Sequence, residues 1–433
     1  MKYFFLKLYK KPFVRNIIVL LSGGVFAQAI TFTLMPVITR QYAPEALGTL
    51  GVFMSITSVV TQVAALSYPL AIVLPEKDAE ALGIVRLSLL ISIAMSLATL
   101  FIIFIFNKPI AHLLNIEEFS SYLFTIPVAM IGSSALAILN QWTIRKQLFK
   151  IKSFVISAHS LILNGSKVIL GMVYASGVGL YILTVFGFFV QATVLLFAAI
   201  KLGDFSARKD SSSHPIKTLR NKYIDFPMYR APELLLNSLS HWLPMFMLAS
   251  LFSPSAVGYF SLALSALKAP VQIISRSFLD VFYQRLSLGA QNNEQLMPMI
   301  YKTTVTLFLI SIPAALIPAI WGPELFSFVF SDNWKQSGEY ARWLVPWVFI
   351  ELINKPAVAA MPVLSAQGLF LIFRVISIVM RFAAIAAGYH FYNNAIISVA
   401  FFSIVTLILN IILIFIALFI SRRHDLNRSK TPV

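Results

Sequence analysis

The 433-residue chain has no cysteine, which rules out disulfides, thiolate nucleophiles and cysteine-based metal sites. It says little about compartment. Charge is scarce as well: 12% of residues are Asp, Glu, Lys or Arg, against roughly a quarter in an average soluble domain. Acid is the scarcer sign, 17 residues against 34 basic ones, so the formal net charge is +17. Of the 6 histidines, His159, His241 and His390 fall in three separate apolar runs without ligand spacing, and no metal is expected. No nucleotide-phosphate loop, carboxylate cluster or nucleophile–base spacing is present, so the sequence does not read as an enzyme and implies no cofactor.

What the chain does have is hydrocarbon. It is 58% hydrophobic, with a mean hydropathy of +0.82. Apolar runs of about 20 residues, enough to cross a bilayer, recur from end to end. They are solidly apolar instead of alternating, which excludes an outer-membrane barrel. The expected fold is therefore an all-α integral membrane protein of twelve transmembrane helices. The runs are Ile17–Ile38, Leu47–Leu74, Ile84–Phe106, Ser120–Gln141, Ser153–Tyr174, Gly179–Ile200, Ala231–Phe252, Ala256–Phe282, Pro298–Trp321, Tyr340–Leu364, Gly368–Tyr389 and Ala395–Ile420. The polar stretch Lys201–Arg230, with Asp210-Ser211-Ser212-Ser213-His214-Pro215, reads as a linker. The chain thus divides into an N-terminal six-helix bundle (1–200), a cytoplasmic basic linker (201–230), and a C-terminal six-helix bundle with a cytoplasmic tail (231–433).

The placement of basic residues orients these helices. With the N-terminus inside, cytoplasmic segments hold 23 of the 34 Lys and Arg, and the outer loops hold only Arg40, Lys108 and Lys335. This positive-inside asymmetry predicts a multi-pass protein with both termini in the cytoplasm. It also accounts for the basic linker and tail through anionic inner-leaflet lipid, with no nucleic-acid partner. The chain repeats itself too. Ala43-Pro44-Glu45-Ala46-Leu47-Gly48 and Ser253-Pro254-Ser255-Ala256-Val257-Gly258 lie 210 residues apart, each in the first outer loop of its half. Two bundles of the same orientation are implied, an arrangement that transporters use to build a site at the seam.

Charged residues inside the runs are the candidates for chemistry. Arg374 and Arg381 interrupt one apolar run and stand seven apart, within about 20° on one helix face. No acid lies within four positions of either. Each costs on the order of 3 kcal/mol to insert, so a cationic stripe of this kind calls for an anion. Lys167 and Lys268, about 20 Å along their helices, likewise lack a partner on their own helix. Together Lys167, Lys268, Arg374 and Arg381 form the candidate substrate-binding cations. Ser160 and Asn164 precede Lys167 at i, i+4, i+7 spacing and would supply hydrogen bonds beside it. Glu351 and Lys355, and Arg276 and Asp280, are spaced to neutralise each other, as are Arg230 and Glu233. Glu351 is also the acid best placed to bind a coupling H+ or Na+.

Several stretches resemble a family. Ile38-Thr39-Arg40-Gln41-Tyr42-Ala43-Pro44-Glu45-Ala46-Leu47-Gly48 and Leu70-Ala71-Ile72-Val73-Leu74-Pro75 are similar to the start of bacterial polysaccharide-repeat flippases. So are Gly258-Tyr259-Phe260-Ser261-Leu262-Ala263, Val281-Phe282-Tyr283-Gln284-Arg285, Leu325-Phe326-Ser327-Phe328-Val329-Phe330, Trp334, and Tyr340-Ala341-Arg342-Trp343-Leu344-Val345-Pro346-Trp347. The chain resembles the Wzx-like O-antigen and capsule flippases of the multidrug/oligosaccharidyl-lipid/polysaccharide exporter superfamily. The resemblance implies two six-helix bundles arranged as a V-shaped transporter in the bacterial inner membrane. It also implies an undecaprenyl-diphosphate-linked oligosaccharide as substrate, with a polysaccharide polymerase and chain-length regulator as partners. The alternative is a multidrug or other lipid-linked substrate exporter of the same superfamily. A drug exporter would favour an acidic or aromatic cavity, and the unpartnered embedded charges here are positive. A membrane polymerase or ligase would need a long external loop, whereas the longest expected outer loop is Gly322–Glu339.

Overall fold

A computed structural model describes residues 12–201, 215–292 and 294–429. Its helices are α1 (Pro12–Gln41), α2 (Pro44–Val63), α3 (Asp78–Leu113), α4 (Ile126–Arg145), α5 (Phe149–Val173), α6 (Gly177–Lys201) and the short α7 (Ile216–Lys222). They continue as α8 (Ala231–Leu251), α9 (Pro254–Gln291), α10 (Leu296–Phe330), α11 (Lys335–Ile353), α12 (Lys355–Val363), α13 (Gln367–Tyr392) and α14 (Ala395–Ser429). Eleven helical stretches among the described residues are long and apolar enough to span a membrane, α11 and α12 together making one of them. Helix α9, with 38 residues, also has the length to cross, and several side chains in its middle lie outside the described residues. This all-α architecture is the twelve-helix one expected from the apolar runs. Large apolar side chains point outward along the helices, Phe104 being 76% and Phe328 83% exposed. Such surfaces would be untenable in water and match hydrocarbon solvent.

At three places the expected runs are broken or extended with a proline nearby. The second run was expected to be helical to Leu74, yet α2 stops at Val63. Leu66 (φ 46°) and Ser67 (φ 61°) then turn the chain left-handed into a 3₁₀ turn over Tyr68–Val73. Pro69 has no N–H to continue the helical ladder, and its ring crowds the preceding turn. The tenth run is divided at Asn354, between α11 and α12, two residues before Pro356. The expected outer loop Gly322–Glu339 is largely helical. Helix α10 continues to Phe330 after a kink at Trp321 (φ −108°, ψ 23°) just before Pro323, and α11 begins at Lys335.

Contacts divide the chain into two compact units, Met1–Gly258 and Tyr259–Val433. In the first, α1 packs along α5, α4 against α3 and α6, and α2 against α6 and α8. Ser238 on α8 donates to the Ser58 carbonyl on α2 at 3.2 Å. A buried cluster of Tyr68, Ile72, Ile84, Trp142, Leu219 and Tyr223 joins the 3₁₀ turn, α3, α4 and α7. Around it Arg145 donates to the carbonyls of Ile72 (3.2 Å), Pro75 (2.5 Å) and Glu76 (3.1 Å) and to Asp78 Oδ1 (3.0 Å). Lys146 reaches Asp78 Oδ2 at 2.7 Å. Glu80 holds Lys222 at 2.5 Å and accepts from the Tyr223 hydroxyl at 3.0 Å. That contact raises the Lys222 pKa above its ordinary value. Of the expected linker, residues 202–214 lie outside the described residues, and α7 with Tyr223 packs into the first unit through this cluster.

In the second unit α10 packs on α11, α13 on α14, and α14 on α11. Asn354, 5% exposed, donates to the Asn410 side chain on α14, so the amide at the α11–α12 break is not left unpaired in an apolar surrounding.

Candidate functional site

Helix α11 presents Trp347 and Glu351 on one face, four residues apart, and the indole N–H donates to Glu351 Oε1 at 2.8 Å. Trp347 is held by two other rings: Phe260 of α9 stacks at 6.4 Å, and Phe402 of α14 meets it edge-on at 4.8 Å. Lys268 of α9 reaches into this arrangement. Its ammonium lies 3.5 Å from Glu351 Oε2 and 4.3 Å from the Trp347 ring centroid. With 8% of the lysine's surface exposed, the carboxylate and the ring face stand where its water would be.

Lys268, without a partner on its own helix, finds one on a different helix. This changes one expectation. Glu351 is paired with Lys268, and no ion pair joins it to Lys355 among the described residues. Pro356 interrupts the ladder beside Lys355, which begins a new helix. The expected Arg230–Glu233 pair is present at 2.6 Å. The Arg276–Asp280 pair lies outside the described residues.

Further cations act on the same carboxylate. Lys355 and Arg381 act electrostatically on Glu351 together with Lys268, and Arg374 acts on both Lys355 and Arg381. Arg374 is exposed and lies over the Phe370 ring at 4.9 Å. Arg381 is half-buried, and its Nε finds no hydrogen-bond partner. In the second unit Lys268, Lys355 and Arg381 thus act on one acid, with Arg374 next to two of them in electrostatic influence. The excess is positive, and Arg381 retains unused donor capacity. Trp347 was not singled out from the sequence, although its i, i+4 spacing to Glu351 was a readable signal.

Lys167 belongs to the first unit. It is half-buried on α5, its backbone carbonyl accepts the Tyr42 hydroxyl at 2.8 Å, and its ammonium has no ion-pair partner among the described residues. Ser160 and Asn164 are engaged elsewhere. Ser160 donates to the Ala27 carbonyl at 2.8 Å, and Asn164 to Thr31 Oγ1 at 3.1 Å and to the Ser160 carbonyl at 2.8 Å. Ser157 adds a bond to the Gly23 carbonyl at 3.2 Å. The polar face of α5 therefore fastens α5 to α1, as hydroxyls and amides do between membrane helices.

The chain matches the polysaccharide biosynthesis protein family over residues 37–339. It belongs to that family. The resemblance drawn from its outer-loop and helix motifs is borne out at this level. Comparison with curated protein sequences returns no match. Among solved structures, the lipid II flippase MurJ in an inward closed conformation superposes with a TM-score of 0.68, 13% identity, and coverage of 92% of this chain and 87% of that one. The Vibrio cholerae MATE transporter VcmN aligns with a TM-score of 0.54 and 13% identity over 95% of each chain. A multidrug resistance MATE transporter of the MOP superfamily, outward-facing, aligns at 0.54 and 14% identity, covering 98% and 99%. At such identities the likeness is one of fold, and the fold of this polysaccharide biosynthesis protein is that of multi-pass membrane transporters.

Proposed function

We propose that this family member is a flippase that carries undecaprenyl-diphosphate-linked oligosaccharide repeat units from the cytoplasmic to the periplasmic leaflet of a bacterial inner membrane, by alternating access between two six-helix bundles. The observation that carries the reading is the surplus of embedded cations, with Lys268, Lys355 and Arg381 acting on the carboxylate of Glu351 and Arg374 acting on two of those cations, in a chain of the polysaccharide biosynthesis family. A diphosphate supplies the missing negative charge and the acceptor oxygens that Arg381 lacks. Lys167 adds a second cationic position in the first unit. The work is transport, with no bond made or broken. Glu351 is the group through which a proton or sodium gradient would act, because neutralising it would release Lys268. A cationic drug as substrate is disfavoured by the same surplus of positive charge.

The test is reconstitution. Proteoliposomes are loaded with a fluorescent polyprenyl-diphosphate oligosaccharide, and its arrival in the opposite leaflet is followed with an impermeant quencher. Protein-dependent transfer is expected, largely lost in Arg381→Ala and partly kept in Arg381→Lys, because a point charge replaces part of the guanidinium's role. Transport of a cationic dye without movement of the lipid-linked glycan would establish the multidrug alternative.

A further inference from the structure

The first unit contains a cavity of about 280 Å³ between the end of α2, the Ser67–Leu70 turn, α4 and Leu234 of α8. No charged side chain lines it. Gln62, Asn140 and Gln141 contribute amides, and Thr61, Ser67 and Ser134 contribute hydroxyls. These groups are under-used. Ser67 and Ser134 are 7% and 3% exposed, and neither hydroxyl has a hydrogen-bond partner. The three amide side chains make no hydrogen bond within the described residues. The two hydroxyls are buried and unpaired, which is costly in an apolar body, while the amides, Gln62 exposed and Asn140 and Gln141 half-buried, stand open to a polar occupant of the same hollow.

The backbone adds an independent sign. Leu66 and Ser67, neither of them glycine, are consecutive left-handed residues, and their turn sets Ser67 in the cavity wall. Strain of this kind is held by the surrounding structure and gathers at binding sites.

The lining selects the chemistry of the occupant. An anion would need a cation here, and a cation would need a carboxylate. A hydrocarbon tail would leave the amides and hydroxyls unsatisfied. Amides and hydroxyls are each donor and acceptor, and they match a ring whose hydroxyls are the same. The volume is at the lower end of small-molecule sites, about 300 Å³, which admits one ring and no chain. We propose that this cavity is a subsite for one neutral sugar ring, a hexose or N-acetylhexosamine, of the lipid-linked glycan. The proposal rests on the flippase reading for its source of sugar. Asn140, Gln141 and Leu234 stand near the helix ends that the basic-residue asymmetry assigns to the cytoplasm, so the subsite would sample the glycan before it crosses.

Two measurements on the full-length protein separate this proposal from the flippase reading. In detergent, methyl glucoside and methyl N-acetylglucosaminide at millimolar concentration raise the apparent melting temperature of the wild type, whereas glucuronate, a charged ring of similar size, does not. Gln62→Ala, at an exposed position where packing is least disturbed, and Asn140→Ala reduce that shift. A wild type indifferent to both neutral glycosides overturns the subsite, whether or not the protein transports. In proteoliposomes, undecaprenyl diphosphate bearing one N-acetylglucosamine moves faster than the sugarless diphosphate. Asn140→Ala lowers that preference about fivefold, the effect of one lost hydrogen bond. Equal slowing of both lipids would make Asn140 structural and overturn the proposal. Movement of neither lipid by a wild type that binds the glycosides would sink the flippase reading and leave the sugar site standing.

Discussion

Gly48 and Gly258 pack against each other's helix start. A Cβ built on Gly48 would come 3.0 Å from the Gly258 nitrogen, and one built on Gly258 would come 3.1 Å from the Gly48 nitrogen. Each would also strike the carbonyl of the opposite proline, Pro254 in the first case and Pro44 in the second. The two copies of the 210-residue repeat therefore meet reciprocally, 44 with 258 and 254 with 48, in the manner of a two-fold contact. Only glycine permits backbones this close.

This contact gives a first prediction. Gly48→Val or Gly258→Val overpacks the crossing and is expected to cost about 1–3 kcal/mol, read as a lower apparent melting temperature in detergent. Cysteines at Glu45 and Ser255, which flank the contact, are the pair to test for a disulfide on oxidation. If transport requires the two loops to part, oxidation stops it and reduction restores it. A fully crosslinked protein that exports glycan at the normal rate would exclude such parting.

The Lys268–Glu351 pair gives a second. Removing Glu351 strands the buried Lys268 ammonium, a loss of about 3–5 kcal/mol, whereas removing Lys268 leaves the partly exposed Glu351 under Lys355 and Arg381 and costs less. Lys268→Met and Glu351→Gln should each lower the folded yield, and the double variant should regain part of what either loses. The readout is the coupling in a double-mutant cycle on apparent melting temperature. Strict additivity would mean that the two charges do not support one another. Transport is expected to fall more in Lys268→Met than in Glu351→Gln, since only the former removes a cation.

Topology gives the third. Cysteines can be placed singly at Ser212 in the linker and at Ser331, which comes directly after α10, in a chain that has none of its own. A membrane-impermeant maleimide applied to intact cells should label position 331 and spare position 212. Labelling of 212 from outside would invert the orientation drawn from the basic residues.

The family, the all-helical membrane class and nearly all the spans were legible in the sequence because lipid imposes its demand locally. Each crossing needs its own run of about 20 apolar residues, whatever its neighbours do. Prolines were legible as residues but not as outcomes. Pro69 opens the 3₁₀ turn that follows α2 and Pro356 stands just past the α11–α12 break, whereas Pro36 is accommodated inside α1. Their effect depends on what surrounds the freed carbonyls.

The site was legible only as a set of charges. Helical periodicity announces partners at three and four residues along one helix, which is why Glu351 appeared matched to Lys355 and Lys268 appeared alone. Tertiary packing decided otherwise: α9 brings Lys268 to Glu351 and over Trp347, and α1 takes up Ser160 and Asn164. The uncharged cavity at Ser67 and Ser134 had no linear signature at all, because its lining comes from α2, the turn after it, α4 and α8. A sequence records which groups enter the membrane; which of them meet is set by the faces on which the helices pack, and that is a property of the fold alone.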